Sequence, residues 1–416
     1  MNYALSYGNS LIDVHLDESI DTQILLPKSP TEPVDADAML KSVLGSSRFD
    51  GKSFGDAIST VRKLLVLVND GTRPTPTATF LRSAREALRK CDVTFLVATG
   101  AHRASHDHEL HRIFGDSYAE FKDRIVMHDA RKEDSLRFFG NTSFGTEVHF
   151  NELVAESDGI VVVGSVEPHY FAGFTGGRKG LLPGVSGFRT IEQNHKLALS
   201  ESAHAMNLED NPVHLDMMES LEFLGGKSLF GIMAVLDEDH AVACWTGGSL
   251  DESFMEAATY ARDVFGVPIK HTADLVITVA KSPMDINLYQ SQKALDNANL
   301  AVSDGGAIIL ISPCHEGIGD DEFATLLSVS DSPEGVLQYV SSTYLLGYHK
   351  AAKMAQIFMR ARVHAYSKIE EDVVSSLFMH PMQTVQDVVD RELKALNHQP
   401  RVYIMPDGGM TIPVII

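Results

Sequence analysis

The chain has 416 residues, 44% hydrophobic and 22% charged, which is the composition of a globular protein of two or three domains. Its formal net charge of −21 argues against a general nucleic-acid or anionic-membrane surface, because such a field repels polyanions. No run approaches the roughly 18 apolar residues of a membrane span, and the N-terminal stretch lacks a signal-peptide pattern.

In chain order, residues up to Lys28 alternate in strand fashion (YALSYG, LIDVHLD, TQILLP) and read as a peripheral β-element. The acidic, proline-rich segment SPTEPVDAD reads as a connection, followed by the amphipathic DAMLKSVLGSS. Strands are then expected at Leu64–Val68, Val93–Val97, Ile125–His128 and Gly159–Val163, with helical patterns such as TATFLRSAREALRK between them. A second series follows at Leu275–Val279, Ala307–Ser312, Val363–Ser367 and Val402–Pro406. Continuous apolar strands imply burial on both faces, hence parallel sheets covered by helices. The expected fold is two α/β domains with largely parallel sheets and an active-site cleft between them. The boundary is placed between Asp263 and Thr272, giving domains 1–268 and 269–416. Cys91, Cys244 and Cys314 fit no zinc spacing and read as reduced thiols of a cytoplasmic protein.

Ligands of open parallel sheets bind outside the carboxyl ends of the strands. There this chain places NDGTRPTP, ATGAHRAS and GSVEPHYFAGFTGGRKGLLPG, with TIEQNHKL shortly beyond. Asp70, Thr72, Arg73, His102, Arg103, His169, Arg178 and Lys179 thus collect at one edge. Alone, NDGTRP could simply cap a helix through Thr72 or Thr75, and GGRKG could be a turn. A phosphate-binding P-loop is excluded because Gly180, not Ser or Thr, follows Lys179; a dinucleotide fingerprint and a HExxH zinc site are also missing. Two separated histidines among cations suit proton shuttling on an anionic substrate.

The motifs DGTRP, TGAHR, EPHYFAGFTGGRKGLLPGVSG, TIEQNH, LYQSQKA and CHEGIG run in this order from Asp70 to Gly319. In them the chain resembles the lactate racemases that use a nickel-pincer nucleotide, and related 2-hydroxyacid racemases and epimerases. The resemblance implies a pyridinium mononucleotide with sulfur arms, joined covalently to Lys179, that holds Ni(II) with His195 as protein ligand. It assigns Asp70, Thr72, Gly176 and Gly177 to the cofactor's surroundings, the glycines leaving room for a bulky nucleotide. His102 and His169 become the acid/base pair, one on each face of a 2-keto acid intermediate formed by hydride transfer to the cofactor. Arg73 would engage the substrate, with Tyr289, Gln290 and Lys293 reaching in from the second domain.

One departure concerns the substrate. Lactate racemases place a tryptophan of the C-terminal domain against it, but the only tryptophan here, Trp245, lies elsewhere. The segment LLGYHKAAK is the expected replacement, through Tyr348, His349 or Lys350; a His or Lys there favours a second anionic or polar group, and a Tyr a larger or aromatic one. The expected function is inversion at C2 of a small anionic 2-hydroxy acid, with the cofactor supplied by maturation enzymes. A noncatalytic anion- or metal-binding protein and a hydroxy-acid lyase are the alternatives.

Overall fold

The computed structural model describes residues 1–28, 35–237 and 240–416. They form two compact units, Ser29–Val264 and Met1–Lys28 with Phe265–Ile416. The reading of SPTEPVDAD as a connection falls largely on 29–34, outside the described residues.

In the first unit the apolar runs become strands Lys63–Asn69, Asp92–Ala98, Ile125–Met127 and Gly159–Ser165. Two further strands, Ser228–Leu236 and Val242–Ser249, complete a six-stranded sheet. The order is Val242–Ser249, Ser228–Leu236, Gly159–Ser165, Lys63–Asn69, Asp92–Ala98, Ile125–Met127; the first pair is antiparallel and the rest are parallel. All seven residues of Gly159–Ser165 are buried, as a central parallel strand requires. Helix Thr77–Leu88 covers the sheet with Phe80, Leu81, Ala84 and Leu88. Phe49, Phe54, Phe95, Phe114, Phe230 and Trp245 join them in one core, each large side chain stabilising by about 1.5–3 kcal/mol.

The second unit holds a fully parallel sheet ordered His380–Pro381, Arg362–Tyr366, Val302–Ile311, Ala273–Val279, Arg401–Met405, Asp21–Ile24. The N-terminal segment therefore differs from its assignment to domain 1–268. Its strand Asp21–Ile24 pairs with Arg401–Met405, and its hairpin buries Leu5 and Val14 against Ile277, Ile309 and Ile404. Local alternation shows that a segment is a strand and says nothing of its partner, so the sequence pattern could not reveal this return.

Each sheet has a point where the strand order reverses. Lys63–Asn69 lies between Asp92–Ala98 and Gly159–Ser165, and Ala273–Val279 lies between Val302–Ile311 and Arg401–Met405. Those reversals leave crevices outside the carboxyl ends, where ligands of this architecture bind. Among the described residues, no helix is long and apolar enough to cross a membrane.

Candidate active site

At the end of Lys63–Asn69 the chain turns tightly around Asp70. The Thr72 amide and hydroxyl both donate to Asp70 Oδ1, at 3.1 and 2.6 Å. Asp70 Oδ2 lies 2.8 Å from His102 Nδ1. Burial works to raise the Asp70 carboxyl, but the hydrogen bonds from His102 and Thr72 outweigh it and hold it below its usual value. An ionised Asp70 accepts the Nδ1 proton of His102, which leaves Nε2 of that half-exposed ring as an acceptor. The capping role considered for Thr72 and Thr75 is not what forms. Pro76 occupies the cap of helix Thr77–Leu88, and Thr75 Oγ1 instead joins Asn69 (2.8 Å) to Ser165 (3.0 Å) across the strand reversal.

Arg73 leaves the same turn and places Nη1 3.0 Å from Glu167 Oε1. Glu167 precedes a minimal hairpin in which Pro168–His169 pairs with Gly173–Phe174. Within it the Ala172 amide donates to His169 Nδ1 at 3.3 Å, so neutral His169 carries its proton on Nε2. Burial, reinforced by the neighbouring basic groups Lys179, Arg73, His195 and Arg178, pushes His169 well below the ordinary histidine value. Lys179 stands on the turn Gly177–Gly180, with Nζ 5.4 Å from the centre of the Phe171 ring. Burial and the charges of Arg178 and Arg73 push its amine well down. His195, on helix Phe188–Lys196, packs its ring 5.0 Å from the same Phe171.

Arg178 is 1% exposed, and among the described residues it has no carboxylate partner within ion-pair distance. Its guanidinium donates to the carbonyls of Ala172 (2.6 Å) and Gly176 (3.3 Å) and lies 4.2 Å over Phe254. Burial lowers it to about 9, so it remains a cation at neutral pH beside Lys179. The glycines of this loop serve the protein's own packing. Gly176 and Gly177 have φ of 76° and 53°, and a Cβ on them would lie 2.6 Å from Val166 and from Phe254. On the Cβ side of Gly176 and Gly177 the space is filled by these side chains.

Beneath His195, the buried Asp216 accepts hydrogen bonds from Thr142, Thr146 (2.9 Å) and Asn194 (2.7 Å). Asn194 precedes His195, so this carboxylate anchors the helix that carries the histidine. Asp216→Ala is expected to cost about 3 kcal/mol in urea denaturation, because three donors lose a buried acceptor. A cost under about 0.5 kcal/mol would remove Asp216 from this role.

In the other unit, Asn287 caps helix Leu288–Asn299 by accepting the Gln290 amide at 2.9 Å. Lys293 is exposed one turn after Gln290, and the Tyr289 ring packs edge-on against Phe323. His349 is buried, with Nδ1 3.1 Å from the Tyr344 hydroxyl. Its neighbour Lys350 sets Nζ 3.3 Å from the centre of the Tyr289 ring and donates to the Tyr289 carbonyl at 3.2 Å.

Asp70, Thr72, Arg73, His102, His169, Lys179 and His195 thus gather within Ser29–Val264, while Tyr289, Gln290, Lys293 and His349 gather in the other unit. Arg103 turns away, held by Glu109 at 2.8 and 3.0 Å. Sequence reading passed over Glu167, Arg178 as a buried cation, and Asp216. Glu167 had a signal, since it opens the motif EPHYF, whereas an Asp inside an amphipathic helix has none.

Residues 7–207 match the family described as the lactate racemase N-terminal domain, and 269–416 that of the lactate racemase C-terminal domain. The chain belongs to the lactate racemase family. Two curated family members are similar over nearly their whole length. The lactate racemase of Thermoanaerobacterium thermosaccharolyticum is 27% identical over 429 residues, 99% of each chain. That of Lactiplantibacillus plantarum is 27% identical over 421 residues, 97% of each. The structure of the T. thermosaccharolyticum lactate racemase apoprotein superposes with a TM-score of 0.87 at 26% identity, covering 100% of both chains. A Thermotoga maritima protein shares the fold at a TM-score of 0.63 and 17% identity, over 94% of this chain and 100% of that one.

This family member also buries histidines that titrate against folding. Burial pushes His214 to about 3 and His364 to about 4, and lowers His128 as well. An unfolded histidine binds its proton near 6.5. Below that value the unfolded chain takes up protons that the folded chain refuses. Stability present above about 6.5 is therefore lost as pH falls toward 4 and 3. Urea midpoints should fall by about 1 M between pH 7 and 5; equal midpoints would contradict the buried neutral state.

Proposed function

We propose that this lactate racemase family member inverts C2 of a small anionic 2-hydroxy acid, with Lys179 holding a nickel-pincer nucleotide and His195 completing the nickel site. The observation that carries the reading is the convergence of His169, Lys179, Arg73, Arg178 and His195 on one another, beside the Asp70–His102 pair. The residues fit the cofactor on two counts. Covalent attachment through an acyl-type carbon needs a neutral amine, and burial with two neighbouring cations favours that form at Lys179. Among the described residues no group of three or more His, Cys, Asp or Glu could hold a bare metal ion, which suits a nickel whose other donors come from an organic ligand. When bound, that nucleotide supplies the acceptor and donor of the C2 hydride.

The chain's own residues handle the protons and the charge. Arg73 engages the substrate carboxylate, and Gln290 and Lys293 assist it. His102, with its Nδ1–H on Asp70, offers the Nε2 lone pair to the C2 hydroxyl proton. His169 donates to the oxygen in the return step only as an imidazolium, protonated on both nitrogens, so taking up that second proton on Nδ1 displaces the Ala172 amide and the donation leaves the ring neutral. Each turnover thus moves one proton from the substrate hydroxyl to neutral His102 and one from protonated His169 to the product oxygen, and turnover in the opposite direction exchanges the two roles.

The test is cofactor-loaded protein incubated with single enantiomers of a panel of 2-hydroxy acids and followed by chiral chromatography. Appearance of the opposite enantiomer of at least one acid is expected. Loaded, nickel-containing protein that inverts none of them would leave the binding-protein alternative standing.

A further inference from the structure

Glu167 takes no part in the proton chemistry, yet its carboxylate meets Arg73, the residue that engages the substrate on the racemase reading above, on which this inference rests. Both belong to Ser29–Val264. Arg73 leaves the turn after strand Lys63–Asn69, and Glu167 follows the neighbouring strand Gly159–Ser165. The backbone of Glu167 is tied on both sides. Its amide donates to Thr175 Oγ1 at 2.9 Å, and its carbonyl accepts the Thr175 amide at 2.8 Å. The Thr175 hydroxyl donates in turn to the Ser165 carbonyl at 2.9 Å. Glu167 is thus fixed at the base of the small hairpin that carries His169.

From that base its side chain reaches one partner, accepting from Arg73 Nη1 at 3.0 Å through Oε1. A guanidinium has five N–H donors, and among the described residues this is the one hydrogen bond of the Arg73 side chain. The two side chains are 36% and 40% exposed, and ion pairs so exposed contribute little to folding. Geometry is where this one counts. An arginine on a flexible stem gives up rotamer freedom when it binds a carboxylate. An anchor at Nη1 removes that freedom beforehand and leaves donors for a two-pronged contact with an incoming acid. Arg73 also stands close enough to His169 and Lys179 for its charge to act on both. A guanidinium that wandered would carry the substrate with it, away from the acid/base histidine.

We infer that Glu167 is a positioning residue: anchored on the hairpin of His169, it holds the Arg73 fork where the substrate carboxylate docks, so that one piece of backbone sets both the carboxylate and the acid/base. The opposite role, a carboxylate that blocks Arg73 until the substrate displaces it, is disfavoured because only one N–H is engaged.

With cofactor-loaded protein and a 2-hydroxy acid that it inverts, Glu167→Ala should lower kcat/KM by roughly 10- to 100-fold, chiefly through KM. Glu167→Gln, which keeps an oxygen at the same place, should recover most of that loss. In an Arg73→Ala background, Glu167→Ala should bring no further loss, because a residue that acts through Arg73 has nothing left to hold. Urea midpoints should stay close to that of the wild type. An equal loss in both backgrounds overturns the inference while the racemase reading stands. So does a KM that falls in Glu167→Ala, the mark of a blocking carboxylate, or a urea midpoint that collapses, the mark of a structural one. If loaded protein inverts no acid, the racemase reading fails and binding decides. Calorimetry of the full-length chain with 2-hydroxyacetate then supports the inference if Glu167→Ala weakens binding and Glu167→Gln restores it. Unchanged binding in Glu167→Ala, or none in the wild type, overturns it.

Discussion

Lys179→Ala is expected to yield a folded chain that never acquires the cofactor. Produced alongside the cofactor pathway, the wild-type protein should show a mass increment on one peptide, containing Lys179, and the variant none. The reason lies in the state of the amine. An ordinary lysine, near 10.4, is protonated in all but about one molecule in 2,500 at pH 7. Burial at Lys179, with Arg178 and Arg73 beside it, removes much of that penalty before any ligand arrives. The same property can be read without the cofactor. An amine-directed acylating reagent at pH 7 should label Lys179 ahead of exposed lysines such as Lys41 and Lys90. An increment that persists in Lys179→Ala, or maps to a different lysine, would refute the assignment.

Loss of either imidazole should be nearly as damaging and differ in kind. His102→Ala and His169→Ala are each expected to lower interconversion by roughly 10²- to 10⁴-fold, the usual range for a positioned acid or base. Nickel content should stay at the wild-type level, because neither side chain is assigned to the metal. The two variants should not be identical. His102 is half-exposed and backed by Asp70, so Asp70→Asn should reproduce part of its loss by weakening the tautomer control. His169 lies among basic groups and, among the described residues, has no carboxylate within ion-pair distance, so no single carboxylate substitution should mimic its removal. Release of nickel from both alanine variants would mean that bases and ligands have been exchanged in this assignment.

Much of this architecture can be read from residue patterns, for identifiable reasons. Strands such as Leu64–Val68 and Gly159–Val163 are legible because a central parallel strand must be apolar on both faces. Ser228–Leu236 and Val242–Ser249 escaped notice; the first carries an internal glycine and the second a GG pair, which blur the apolar run. At the site, His102, His169 and Lys179 stand out because they follow strand ends. Arg178 was legible as a cation, but its burial depends on Phe254, 76 positions further along. Asp216 was not legible at all. Its partners Thr142, Thr146 and Asn194 come from segments that meet only in three dimensions. Lys350 was one of three candidates in its segment, and only its seat on Tyr289 separates it from Tyr348 and His349.

The edge strand Asp21–Ile24 carries a consequence for the order of synthesis. It is synthesised well before the strand it pairs with, Arg401–Met405, which lies 380 positions later. Until that partner emerges, the strand exposes an unpaired edge, and Leu25, fully buried in the folded chain, lacks its hydrogen bond to Ile404. The sheet within Ser29–Val264, by contrast, draws all six strands from a continuous stretch and can close while translation continues. Lys179 and the histidines around it therefore reach native form before the last strands of the chain exist, and premature termination leaves the opening segment without a template.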